Sequence, residues 1–171
     1  IRIYYMGIPV QEPACYVEEK LYLPLDLIRE YVDETIRWDE QNKLVIITDS
    51  ENVFHLPLGL KEGFLNLEPF SFTYPVLEQE GKIYLPVDPL QDFYGVEIFE
   101  DKDSRLVMIR DLAEPVQMGK TLAAGKLRSA PAARSSWAAP ISRNREIRIF
   151  FEHNGWFWVE TGDGLMGYLP E

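Results

Sequence analysis

Cysteine is nearly absent: Cys15 is the only one in 171 residues. An intrachain disulfide is therefore excluded, and no thiolate cluster is available for a metal. Histidine is almost as scarce, with only His55 and His153. Apolar runs are short, and none approaches the roughly 20 residues that a membrane-spanning helix needs. Cations are few: 17 Lys and Arg face 28 Asp and Glu, a net charge of −11. That balance argues against nucleic acid, whose phosphates demand clustered Lys and Arg. Low-complexity, collagen-like and coiled-coil compositions are missing too. An initiating Met is also missing, since the sequence opens at Ile1 and stops after a strand-like segment. The expectation is a piece of a longer protein.

What remains is an ordinary globular mixture, 46% hydrophobic and 26% charged. Its charge is unevenly spread. Residues 1–110 hold 10 Lys and Arg against 21 Asp and Glu, whereas residues 111–171 hold 7 of each. Alanine and serine cluster over 121–142. Asymmetry of this kind points to two modules with different surfaces, divided near Asp111–Pro115.

The first half contains a tandem repeat. Lys20-Leu21-Tyr22-Leu23-Pro24-Leu25-Asp26 returns as Lys82-Ile83-Tyr84-Leu85-Pro86-Val87-Asp88, an offset of 62 residues. Leu44-Val45-Ile46-Ile47 returns as Leu106-Val107-Met108-Ile109. Each copy reads as a strand, a short helix (25–33 and 88–94) and a hairpin. The hairpins pair 35–38 with 44–48 and 96–99 with 106–110, across the polar turns Asp39–Lys43 and Glu100–Ser104. A further strand candidate precedes each copy, Ile1–Met6 and Val53–Leu58. Two copies near this period make a duplication rather than a solenoid.

A Tyr-Leu-Pro-Leu strand, a helix, and a hairpin running from Trp38-Asp39 to Val45-Ile46-Ile47 resemble the stalk domain of Firmicutes surface proteins. That family is also called the copper amine oxidase N-terminal-like domain. The resemblance covers roughly residues 1–111, although Pro89 enters the second helix and Phe99-Glu100 replace Trp38-Asp39. It does not imply copper: a copper site prefers several imidazoles, and His55 and His153 lie in different modules. No cofactor and no metal are expected.

The second half reads as short strands between turns. Pro115–Met118 comes first, then Gly125–Pro131. Ile147–Glu152 alternates with period two, Asn154-Gly155 marks a hairpin turn, and Trp156–Glu160 returns. Gly162-Asp163-Gly164 then turns into Leu165–Leu169. Leu127-Arg128-Ser129-Ala130-Pro131, Asn154-Gly155-Trp156 with Val159, and Asp163-Gly164 with Gly167-Tyr168 are similar to the ordered signatures of bacterial SH3-like domains. Tyr168 stands where that family usually has Trp. The resemblance implies peptidoglycan, its cross-bridge peptides or another polysaccharide as partner.

Aromatic residues are the candidate ligand-binding set: Trp156, Trp158, Tyr168, Trp137 and Phe151. Trp156 and Trp158 share one face of their strand, and Phe157 and Val159 share the other. If the second pair is core, the two Trp face a groove; the alternative is that they cap the core or join an interface. Acidic residues offer no catalytic pair. Asp26 and Asp88 sit at helix starts, where a carboxylate complements the dipole, and Asp33 and Asp39 read as solvated surface. Asp101-Lys102-Asp103-Ser104 fails as a calcium loop, because Leu106 and Leu112 occupy the positions that require Gly and Glu. Cys15 reads as a small hydrophobe. Ser129, Ser135 and Ser136 lack a His and an acid at triad spacing.

The expected fold is an α+β stalk-type module (two βαββ-like repeats, about 1–50 and 51–111) followed by an all-β SH3-like barrel over 112–171. The expected function is that of a non-catalytic accessory fragment of an exported cell-wall protein. It would bind peptidoglycan or a related polymer and so target a glycan-hydrolysing domain. The resemblance implies a neighbour such as a glycoside hydrolase family 18 domain. The alternative is a structural spacer or protein–protein interaction arm. Expected partners are wall polymer or a neighbouring domain of the same protein, with no nucleic acid and no membrane span in this fragment. The expected location is extracellular or wall-associated.

Overall fold

The computed structural model describes residues 1–102 and 105–171; the side chains of Pro89, Asp92, Asp101, Trp137 and His153 are outside the description. The expected turn at Glu100–Ser104 therefore falls partly outside the described residues. The chain opens with β1 (Arg2–Tyr5), β2 (Ile8–Val10), β3 (Cys15–Val17) and β4 (Lys20–Pro24). Helix α1 (Leu25–Tyr31), β5 (Arg37–Asp39) and β6 (Leu44–Thr48) complete the first copy. The second begins with β7 (Val53–Pro57), β8 (Glu62–Leu65), β9 (Glu68–Ser71), β10 (Leu77–Gln79) and β11 (Lys82–Pro86). It ends with α2 (Val87–Tyr94), β12 (Val96–Asp101) and β13 (Leu106–Asp111). The remainder is β14 (Gln117–Lys120), β15 (Gly125–Arg128), β16 (Trp137–Ile141), β17 (Glu146–His153), β18 (Trp156–Thr161) and β19 (Met166–Pro170).

The expected α+β class is overturned. The chain is nearly all β, with 53% of it in strands and helices of only seven and eight residues. Neither helix is long enough to form a layer. Helix α1 starts at Pro24 without a side-chain cap and buries only Leu25, Leu27 and Ile28. Two turns are marginal without tertiary support, so these helices fill gaps beside sheets instead of covering them. The repeats do not stand as separate βαββ modules either. The two Tyr-Leu-Pro strands pair with each other, Leu23 opposite Leu85, in a sheet ordered β10-β11-β4-β3. The hairpin β5–β6 continues into the second copy as β5-β6-β7-β8-β9. A third sheet is ordered β12-β13-β1-β2.

Contacts divide the chain into two units. One is Ile1–Ile3 with Val10–Ile98; the other is Tyr4–Pro9 with Phe99–Glu171. In the first, Leu21, Leu23, Leu27, Ile28, Ile36 and Ile47 form much of the buried interior. Phe54 and Phe93 meet at 4.0 Å between ring centres, tilted by 38°. Tyr94 donates its hydroxyl to Asp33 Oδ2 at 2.8 Å, and Lys82 Nζ meets Glu12 at 2.8 Å. The Trp-Asp motif builds a turn: Asp39 Oδ1 accepts from the Gln41 and Asn42 amides at 2.9 and 3.0 Å, and Trp38 Nε1 donates to Glu40.

The second unit is dominated by six strands in the order β14-β17-β18-β19-β15-β16. Among the described residues no pairing joins the edge strands β14 and β16. Both faces of this sheet are apolar. Leu127, Ala139, Ile141, Ile147, Val159 and Leu169 gather on one. Phe150, Trp158 and Tyr168 gather on the other, beneath Leu106 and Met108 of β13. An irregularity between Ile149 and Phe151 shifts the β17–β18 register. A bulge of this kind breaks the period of two, so Ile149 packs with the first cluster while both Phe150 and Phe151 join the second.

Candidate functional site

The centre of the second unit is β18, flanked by β17 and β19. Alternation along it sends Trp156 and Trp158 to one cluster and Phe157 and Val159 to the other. Trp158 sits directly opposite Tyr168. Their rings meet edge-on at 4.8 Å and 64°, a favoured aromatic geometry. Trp158 is 5% exposed and Tyr168 1%. The Trp158 Nε1–H is buried with no hydrogen-bond partner among the described residues. Phe150 meets Phe99 at 5.4 Å, and the guanidinium groups of Arg110 and Arg148 lie 5.2 and 5.3 Å from its ring centre. Phe151 and Trp156 are half-buried against the same cluster. The backbone of Trp137 begins edge strand β16, and its side chain lies outside the described residues.

Four of the five aromatic residues singled out in the sequence therefore converge on one apolar cluster. A sugar platform needs exposed ring faces, and here Trp158 and Tyr168 present none. The covering strand β13 lies about 50 residues upstream, beyond the reach of any local sequence pattern.

The opposite face is buried at Leu127, Ile141, Ile147, Val159 and Leu169 but borders a cavity. A cavity of about 620 Å³ is lined by residues of β14, β15, β17, β18 and β19 together with Ile141 and the segment 121–124. Its floor is Ile141, Ile147, Phe157 and Leu169; Lys120, Lys126, Arg128 and Glu171 also line it. Trp156 reaches it from the end of β18. The entry segment is anchored at Thr121, whose hydroxyl donates to the Ser142 carbonyl at 2.6 Å and accepts from the Arg145 amide at 2.9 Å. The following Leu122 is 88% exposed. Sequence reasoning missed this cavity, although the apolar run Leu122-Ala123-Ala124 between two strands was its available signal.

The acidic residues are arranged for turns and ion pairs. Asp26 meets Arg29 at 3.4 Å, and Asp88 pairs with Lys20. The Asp39 carboxyl is held below its ordinary range, first by the Asn42 side chain and then by backbone amides. Asp49 is lowered by the Glu51 and Asn52 amides. A general acid needs the reverse shift. Asp163 is lowered by its bonds to Thr161 and Arg145. Burial pushes the Cys15 thiol up. His55 lies within β7, opposite Ile46 and Phe64. Among the described residues no three His, Cys, Asp or Glu side chains gather as metal ligands.

Comparison with curated proteins and with solved structures gives no match. A family model described as the copper amine oxidase N-terminal domain matches residues 5–109. It spans both Tyr-Leu-Pro strands, both short helices and both hairpins, the elements that carry the repeat. With more than half its length matched, this chain belongs to the copper amine oxidase N-terminal domain family.

Proposed function

We propose that the chain is a non-catalytic arm that positions a neighbouring domain of the same exported, wall-associated protein. One observation carries this reading: Trp158 and Tyr168, the centre of the aromatic set, are core residues beneath Leu106 and Met108. Trp158 and Tyr168 thus hold the second unit together and offer no ring face for stacking on sugars. The motif order Leu127–Pro131, Asn154–Trp156, Asp163-Gly164 supports kinship of 112–171 with bacterial SH3-like modules. That company of modules favours a wall hydrolase, such as a family 18 glycoside hydrolase, as the neighbour.

A second reading, targeting by direct attachment to wall polymer, is favoured by Trp156 at the margin of the 620 Å³ cavity. Co-sedimentation of the 171-residue chain with peptidoglycan and with insoluble chitin separates the two. The arm predicts that nothing pellets with either polymer. Pelleting that Trp156→Ala abolishes, with unchanged circular dichroism, would replace the arm by the targeting module.

A further inference from the structure

We infer that the cavity beside Ile141, Ile147 and Leu169 in the second unit is a binding site for a free, single-chain anionic amphiphile, an alkyl tail ending in a carboxylate or similar anion. The volume, about 620 Å³, lies in the range of small-molecule sites, which are mostly apolar with a few placed polar groups. The lining follows that pattern. Leu122, Ala123, Ala124, Ile141, Ile147 and Leu169 offer no hydrogen-bonding side chains, so a sugar would leave its hydroxyls unpaired there. An alkyl tail loses nothing by entering.

The charges select the head group. Three cations, Lys120, Lys126 and Arg128, line the cavity against one acid, Glu171. Arg128 Nη1 donates to the Ser135 carbonyl at 2.9 Å, which fixes the guanidinium position, and Lys120 meets Glu146 at 3.4 Å on the exposed side. The entry segment supplies an independent sign. Thr121 is pinned by its side-chain and backbone bonds to Ser142, Asn144 and Arg145, yet Leu122 next to it stands 88% exposed. An occupant beneath this segment would cover that leucine. The shape favours a free amphiphile over a bilayer, because the apolar surface is recessed. At Gly125, an added Cβ would find only Ile141 Cγ2, at 3.9 Å. Gly125 itself lines the cavity, and a Cβ is accommodated there in ordinary van der Waals contact.

The test is isothermal titration of the 171-residue chain with octanoate, decanoate and dodecanoate below their micelle concentrations. At about 0.8 kcal/mol per buried methylene, affinity is expected to rise about fourfold per CH₂ until the cavity is full. Dodecyltrimethylammonium, with the same tail and the opposite charge, is expected to bind at least tenfold more weakly. Gly125→Leu is expected to remove dodecanoate binding while leaving the circular dichroism and thermal midpoint within a few degrees. Lys126→Glu should weaken dodecanoate without blocking the cavity. Failure of dodecanoate to bind, equal affinity for the cationic amphiphile, or binding unchanged in both variants would each overturn the inference. So would sedimentation with anionic phospholipid vesicles without dodecanoate binding, which would identify a membrane surface instead.

Discussion

Gly7→Ala should be one of the most damaging small substitutions in this chain. Gly7 sits in the turn between β1 and β2 at φ +81°, and an added Cβ would fall on the Phe151 ring, with Cε2 and Cγ only 3.0 Å away. The left-handed backbone costs an L-residue about 1–2 kcal/mol, of which about 0.4–1 kcal/mol returns through the stiffer unfolded chain. Displacing a packed ring adds an overpacking cost of about 1–3 kcal/mol. The expected loss is about 2–4 kcal/mol. Gly155→Ala is the internal control, since φ is +73° in the same unit but no heavy atom lies within 4 Å. It should lose only about 0.5–1 kcal/mol. Urea unfolding followed by tryptophan fluorescence reads both, because Trp156 and Trp158 belong to that unit. In a Phe151→Leu background the excess cost of Gly7→Ala should shrink. Equal losses from Gly7→Ala and Gly155→Ala would refute the packing argument, because strain alone would then account for both.

Three further outcomes are expected. Leu67 is 80% exposed at φ +71° in the two-residue turn after Asn66, where glycine is the usual second residue; Leu67→Gly should raise stability by about 0.5–1 kcal/mol in thermal melts. Burial first, and then the Asp33 carboxylate, raise the Tyr94 pKa above its ordinary 10.0, so the folded state keeps a proton that the unfolded state loses. That contribution is whole below about pH 10 and declines above it. Tyr94→Phe should therefore lose about 1 kcal/mol at pH 8 and show a flatter alkaline limb in urea titrations. For Asp163 the sign reverses: a pKa below 3.8 contributes above that value and is lost as pH falls through the folded pKa. Asp163→Asn should flatten the acid limb of the melting curve.

Much of the element pattern was legible because it is local. The Tyr-Leu-Pro strands, the two short helices and the Asn154-Gly155 hairpin follow from alternation, proline and turn chemistry within a few residues. The hairpin of β8 and β9 escaped because Leu67 occupies a turn position where glycine would have marked it. The class was misjudged because a two-turn helix and a layer-forming helix look alike in sequence, and only packing separates them. The alternation of Trp156 and Trp158 was readable; what covers them was not. A sheet with one wet face and a sheet with both faces dry share the same period of two, and the cover here is β13. The register shift between Ile149 and Phe151 falls where Ile149-Phe150-Phe151 interrupts the alternation, a short apolar step that a period of two passes over.

The placement of Tyr4–Pro9 with Phe99–Glu171 has a consequence in time. The Met6 amide donates to the Ile109 carbonyl at 2.9 Å, so this early strand needs a partner made about 100 residues later. At roughly 5–20 residues per second of synthesis, the nascent chain waits about 5–20 s with that edge unpaired. Open edges are where chains on neighbouring ribosomes join wrongly. Over the same stretch, residues 1–110 carry 21 acids against 10 bases. Mutual repulsion of those charges keeps unfinished chains apart until the partner strand emerges.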